Sequence, residues 1–388
     1  IKNCRNSHVE NPCFRCTINR KHLLDKFKFK TITLSSVLSE IRNPVSYGKK
    51  VFKNFAVNKD TFELIINDSV TRHFYGAESL FNKDQVSEIR SKHTETAFIS
   101  LSLGEILAKK FNPVISLNIM NVYSAWGPMD IIFKTMGIAS INLGATAFDL
   151  HAVRFNNAEL FQHKRTFQRF IKNRKEPSLN KDENIALDNF ISNRMAGNDL
   201  LMKQWGFFQK SVVNNLNINK NKKNVFLFTN VPWDQGLNEY AGIFRDVMDW
   251  VYQTVEYFKD HTDIDIWIKP HPAEVKGTST SSKSVTDFIK SNYPKLPKNI
   301  HLIDANDGIS PYNLFQHIDL GIVLTGTLGL EMALSSIPVI TAGKSPCYGL
   351  GLLSEPSSLE EYFGSIIEFT GPKEKTLDDL RLFCYFYF

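Results

Sequence analysis

Two short segments of the sequence carry residue types from which an anion-binding site is built. In Lys269-Pro270-His271-Pro272 a cation and an imidazole sit between two prolines, whose fixed φ holds the backbone around His271. That pair suits a phosphate or a sugar carboxylate. The second segment is Thr325-Gly326-Thr327-Leu328-Gly329-Leu330-Glu331. Thr325 or Thr327 can cap a helix starting there, and Gly326 and Gly329 let a ligand approach the backbone. The free N–H groups of a first helical turn then favour a phosphate. Glu331, one turn further on, is placed to accept hydrogen bonds from ribose hydroxyls. Taken singly, the second segment reads equally well as a helix cap with close-packed glycines, and a lone histidine is more often structural.

The elements that must position these residues shift the balance. After a polar Asn/Lys run at 214–224, apolar strands at 225–229, 264–268, 300–303, 320–324 and 338–341 alternate with helices. The helices are predicted at 240–258, 285–291, 311–317, 328–335 and 358–367. Short apolar strands alternating with amphipathic helices make a parallel sheet covered on both faces, a Rossmann-like arrangement. Both segments directly follow strands, so they open onto one crevice at the sheet's carboxyl edge. Lys344 and Tyr348 follow the next strand, where they either reach an acidic sugar's carboxylate or form a surface turn.

The first half predicts a second α/β domain, with strands at 62–66, 97–100, 114–118 and 139–142 and helices at 104–110 and 129–136. Asp68, Glu105 and Asp149 lie near predicted element ends in that half, carboxylates of the kind that can serve as a general base. Residues 161–175 (FQHKRTFQRFIKNRK) predict a basic amphipathic helix, a solvated face first and a surface for anionic lipid or polysaccharide second. The expected organisation is an α/β domain at 1–213, a linker at 214–224, a Rossmann-like domain at 225–370 and a tail at 371–388.

Composition narrows the class. At ~150 residues per domain, 388 residues make two ordinary domains the first expectation. Hydrophobic residues at 43% and charged residues at 22% are those of a globular chain. A net charge of +6 over 388 residues is too mild for a nucleic-acid-binding domain. Five cysteines, Cys4, Cys13, Cys16, Cys347 and Cys384, are too few and too unevenly spaced for a disulfide scaffold, and a reducing, cytoplasmic setting is expected. The three N-terminal cysteines with His8 or His22 make an incomplete zinc knot, so no metal is expected. The longest apolar stretch, 318–342, is interrupted by Asp319 and Glu331, so no membrane span is expected. Because the chain begins at Ile1 and ends in Phe383-Cys384-Tyr385-Phe386-Tyr387-Phe388, a fragment is expected. Gly343-Lys344-Ser345 lacks the upstream glycine of a P-loop, Pro338 standing in its place, and no Gly-x-Gly-x-x-Gly follows a strand. ATP hydrolysis of the Walker type and dinucleotide oxidoreduction are therefore unsupported.

An ordered set of motifs resembles the capsule polysaccharide biosynthesis family, which includes bacterial capsule Kdo transferases. The set is Thr229-Asn230-Val231-Pro232-Trp233-Asp234, Trp267 to Glu274, Thr325 to Glu331, Ile337 to Ile340, Ala342 to Lys344, Tyr348 to Gly351 and Glu360 to Phe363. The resemblance implies a GT-B-like α/β fold, two Rossmann-like domains facing across a cleft, with donor nucleotide on the second and acceptor on the first. It implies that His271 with Pro272, and Thr325 and Thr327, hold a nucleotide phosphate, with Lys269 helping to stabilise the leaving phosphate. The cofactor-binding set would be Thr325, Gly326, Thr327, Gly329, Glu331, Lys344 and Tyr348. The chain departs from relatives in having Ser336-Ile337-Pro338 where Gly-Lys-Pro is common, which removes the usual lysine. The expected partners are a nucleotide-sugar donor and a glycan or lipid-linked acceptor, with peripheral contact to the inner membrane or capsule assembly proteins and no separate cofactor. A UDP-sugar 2-epimerase and a non-catalytic capsule-assembly component are the alternative readings.

Overall fold

Asparagine caps organise the first half. Asn58 accepts the N–H of Thr61 at 2.9 Å and Asn82 that of Gln85 at 2.8 Å, each satisfying an orphan donor at a helix start. In the computed structural model, which describes residues 26, 32–75, 81–118, 122–143, 153–155, 163–198, 216–233, 240–275, 284–368 and 375–388, these caps begin two long helices. The order is α1 (Leu34–Leu38), α2 (Pro44–Asn54), α3 (Lys59–Phe74) and α4 (Lys83–Phe111). Then come β1 (Ile115–Asn118), α5 (Gly127–Thr135), β2 (Ala139–Leu143) and β3 (Val153–Phe155). β1 and β2 pair in parallel, β2 and β3 antiparallel.

The strands predicted at 62–66 and 97–100 are helical instead, inside α3 and α4. Their short apolar runs look alike in either state. Phe62, Ile66 and Val70 recur at helical spacing and face Ala97 and Leu101 in one buried cluster.

Next in the chain, α6 (Lys164–Lys172) and α7 (Lys181–Met195) precede the C-terminal sheet. That sheet is built from β4 (Lys223–Phe228), α8 (Val247–Phe258), β5 (Ile264–Lys269), α9 (Val285–Asn292), β6 (Ile300–Leu302) and α10 (Pro311–Leu314). It continues through β7 (Leu320–Val323), α11 (Leu328–Leu334), β8 (Val339–Thr341) and α12 (Leu359–Glu368), and α13 (Lys375–Tyr387) follows. The strand order is β6-β5-β4-β7-β8, all parallel. Counted from β4 this is 3-2-1-4-5, the order of a doubly wound Rossmann half. The expected helix at 240–258 begins only at Val247, where Asp246 accepts the N–H of Asp249 at 2.8 Å; Gly242, at φ +70, lies in the preceding loop.

Alternation along β4 shows why both faces need helices. Val225 and Leu227 point to a core with Trp250, Ile266, Ile268 and Tyr362, closed by α8, α9 and α12. Phe226 and Phe228 point to the opposite core, which holds Phe167, Leu187, Leu330 and Phe383 from α6, α7, α11 and α13. The core thus crosses the expected boundary at 214–224, and residues 375–387 of the expected tail are a packed helix.

Candidate functional site

In a sheet of this order the chain leaves β4 in one direction through β5 and β6 and in the other through β7 and β8. The crevice beyond the carboxyl ends of β4 and β7 is where such folds take ligands. Here the two loops are tied across it. Asn230, just past β4, donates from Nδ2 to Thr325 Oγ1 at 3.0 Å, and its Oδ1 accepts the Thr325 N–H at 3.4 Å. Asn230 was missed as a site residue, although its place directly after an apolar strand was the available signal.

The two glycines of the second segment do different work. A Cβ on Gly329 would come within 2.8 Å of Val323 Cγ2, so this glycine lets α11 lie close on β7. A Cβ on Gly326 would meet nothing nearer than the Leu328 N at 4.0 Å, so open space lies over this backbone. Thr327 stands at the helix N-cap, and its side chain makes no capping hydrogen bond. The hydroxyl that the sequence assigned to capping or ligand binding is therefore not spent on the cap.

The loop after β5 brings Lys269, His271 and Glu274 together. Lys269 is buried at the end of the strand and His271 is half-buried beside it. His271 Nδ1 accepts the Ala273 N–H at 3.1 Å, which leaves the neutral ring's proton on Nε2. Burial, then the Lys269 charge, pushes the imidazole down to about 4, so it is uncharged at neutral pH. Glu274 is buried; its Oε2 accepts the Val285 N–H at 2.6 Å, and among the described residues Oε1 has no partner. Burial above all raises this carboxyl to about 8. Sequence reasoning gave Glu274 no role, since nothing in a strand-end loop marks a carboxyl that stays protonated.

Lys344 and Tyr348 follow β8. Lys344 is half-buried, donates its N–H to the Tyr240 carbonyl at 2.8 Å and holds Nζ 5.9 Å from the Tyr240 ring centroid. Gly242 and Gly343 make this closeness between the loops after β4 and β8 possible. A Cβ on Gly343 would lie 2.3 Å from the Tyr240 carbonyl oxygen, and one on Gly242 2.8 Å from that of Ala342. Tyr348, in a turn beyond, is 37% exposed.

Glu331 is placed differently from the ribose-binding role expected of it. It is 1% exposed; Arg194 Nε donates to Oε1 and the Tyr312 hydroxyl to Oε2, both at 2.6 Å. The network binds α7 and α10 to α11, and burial followed by the Glu331 charge raises Tyr312 above its ordinary range. Of the candidate bases, Asp68 is buried in α3, and Glu105 is buried in α4 with Oε1 on Lys109 Nζ at 2.6 Å. Neither stands at a strand end; Asp149 lies outside the described residues. Among the described residues no group of three His, Cys, Asp or Glu side chains could hold a metal ion.

A family model described as capsule polysaccharide biosynthesis protein matches residues 151–363, more than half of the chain. The chain belongs to the capsule polysaccharide biosynthesis protein family. The match includes the four strand-end loops with Asn230, Lys269, His271, Thr325 and Lys344, whereas Asp68 and Glu105 lie before it. No curated protein matches the chain. Among solved structures, KpsC, the beta Kdo 2,4 transferase of Thermosulfurimonas dismutans, is similar at 11% identity and TM-score 0.43, covering 70% of this chain and 78% of that one. The UDP-GlcNAc 2-epimerase of Neisseria meningitidis is similar at 12% identity and TM-score 0.31, with 77% and 82% covered. Likeness at these scores decides nothing further about this member of the family.

Proposed function

We propose that this family member is a glycosyltransferase that takes a sugar from a nucleotide-activated donor and passes it to a glycan or lipid-linked acceptor in capsule synthesis. The observation that carries the reading is the Asn230–Thr325 tie across the strand-order reversal, with His271 on the adjoining loop and open backbone at Gly326. Glycosyl transfer breaks the bond between the anomeric carbon and a phosphate oxygen, forms one to an acceptor oxygen and leaves negative charge on the nucleotide. The His271 Nε2–H is a neutral donor for that charge, the N–H groups at the start of α11 add more, and the Lys269 and Lys344 cations set a favourable field. The acceptor hydroxyl's proton passes to a base contributed by the first half. An acidic sugar such as Kdo, delivered from CMP, fits the positive loops. Among the described residues no helix is long and apolar enough to cross a membrane. The expected workplace is the cytoplasmic face of the inner membrane, where a lipid-linked acceptor would be met.

Thermal stabilisation by CMP, UDP, GDP and CDP tests the donor site. At least one should raise the melting temperature of the wild type, and Asn230→Ala and His271→Ala should each reduce that rise, measured against the variant's own unliganded melting temperature. No response to any of the four sinks the proposal. Conversion of UDP-N-acetylglucosamine without an acceptor would instead identify an epimerase.

A further inference from the structure

A guanidinium from the first half reaches the same strand-end loops. α3 ends at Phe74 with Tyr75, left-handed at φ 52, as its C-cap, and this end of the helix meets Trp233 in the loop after β4. The Arg72 guanidinium lies over the Trp233 ring, 4.1 Å from its centroid. Tyr75 stands edge-on to the same indole, centroids 5.6 Å apart at 89°. Trp233 in turn forms one buried cluster with Val231 and Ala273, and Tyr75 packs against it. Val231 directly follows Asn230, and Ala273 is the residue whose N–H holds His271. Arg72 is therefore docked on the shared support of the two loops that carry the candidate phosphate-binding side chains.

Its chemistry is unspent there. Arg72 is half-buried, and its contacts are ring contacts with Trp233 and Tyr75; no described carboxylate lies within ion-pair distance of it. A ring beneath the guanidinium carbon does not take up its five N–H donors as a carboxylate would, and their fork matches a carboxylate or phosphate. A helix-end cation serving only the helix dipole would need neither the tryptophan nor the neighbouring loops.

We propose that Arg72 is a donor-binding residue supplied by the first half, gripping an oxyanion of the nucleotide-sugar, either its phosphate or the carboxylate of an acidic sugar. The assignment rests on the transferase reading above. Trp233 acts as the platform that orients the fork.

Calorimetric binding of CMP and of CMP-Kdo, a nucleotide-sugar with an acidic sugar, to wild type, Arg72→Lys, Arg72→Met and Arg72→Ala tests this, each variant's melting temperature being measured alongside. Arg72→Met keeps the stem's packing on Trp233 and removes every donor. It should bind at least tenfold more weakly at an unchanged melting temperature, with Arg72→Lys between it and wild type. An equal loss for both ligands assigns the phosphate; a loss for the acidic nucleotide-sugar alone assigns the carboxylate. Wild-type affinity in Arg72→Met overturns the proposal and leaves Arg72 a staple between the halves, even if Arg72→Ala unfolds. If wild type binds neither ligand nor any other nucleotide, the transferase reading itself fails and takes this assignment with it.

Discussion

The Lys-Pro-His-Pro-Ala-Glu turn holds two titrating groups whose protons are displaced in opposite directions. His271, lowered to about 4, gives up its proton on folding, whereas Glu274, raised to about 8, keeps one. Between roughly pH 4.5 and 8 the unfolded chain has lost the Glu274 proton while the folded chain retains it, so this carboxyl's contribution to stability falls as pH rises. His271 works the other way, weakening the fold as pH drops from about 6.5 toward 4. Glu274→Gln should therefore match wild type near pH 5, since glutamine can still accept the Val285 N–H. It should then melt progressively higher than wild type up to pH 8, read by thermal scans across that range. A constant difference between the two proteins would show that Glu274 is ionised throughout. Lys269 and His271 were legible in the sequence because proline brackets them after an apolar strand. Glu274 and Asn230 were not, because a carboxyl's protonation and an amide's partner depend on burial and on residues about a hundred positions away.

Among the elements, α11 depends on contacts that no local pattern reveals. Its Glu331 is buried with one oxygen on Arg194 and the other on Tyr312. Removing one member of a buried ion pair strands the other charge. Arg194→Met is thus expected to cost about 3–5 kcal/mol, while Arg194→Met with Glu331→Gln should recover most of it. Denaturant titration of the single and double variants measures this, and a double variant no more stable than the single would refute the pairing argument. The strands and helices of the C-terminal sheet were readable because β4, β5 and β7 are short apolar runs set between amphipathic helices. In the first half the same kind of run, around Phe62 and Ala97, belongs to helices. There the deciding information lay in Asn58 and Asn82 as caps rather than in apolar content.

At the scale of the whole molecule, one face of the C-terminal sheet is completed by helices on both sides of it in the sequence, α6 and α7 before it and α13 after it. Leu380, Leu382, Phe383 and Cys384 are each at most 3% exposed. At about 1.5–3 kcal/mol per buried apolar side chain, their loss approaches the net stability of an ordinary domain. Removing residues 375–388 should leave a protein without a cooperative melting transition, and an intact transition in calorimetry would show that α13 is dispensable. The sequence left 371–388 as a tail because an aromatic-rich end has no meaning without its partner, the Phe167 face of α6. The same arrangement bears on how the protein is made. Phe167 leaves the ribosome long before the strands it must cover and before Phe383, so α6 and α7 wait with their apolar sides unsatisfied while the rest is synthesised. Contacts of such long sequence separation close slowly. During that interval the growing chain is a natural client for chaperones, and the yield of active protein is expected to depend on how fast it is translated.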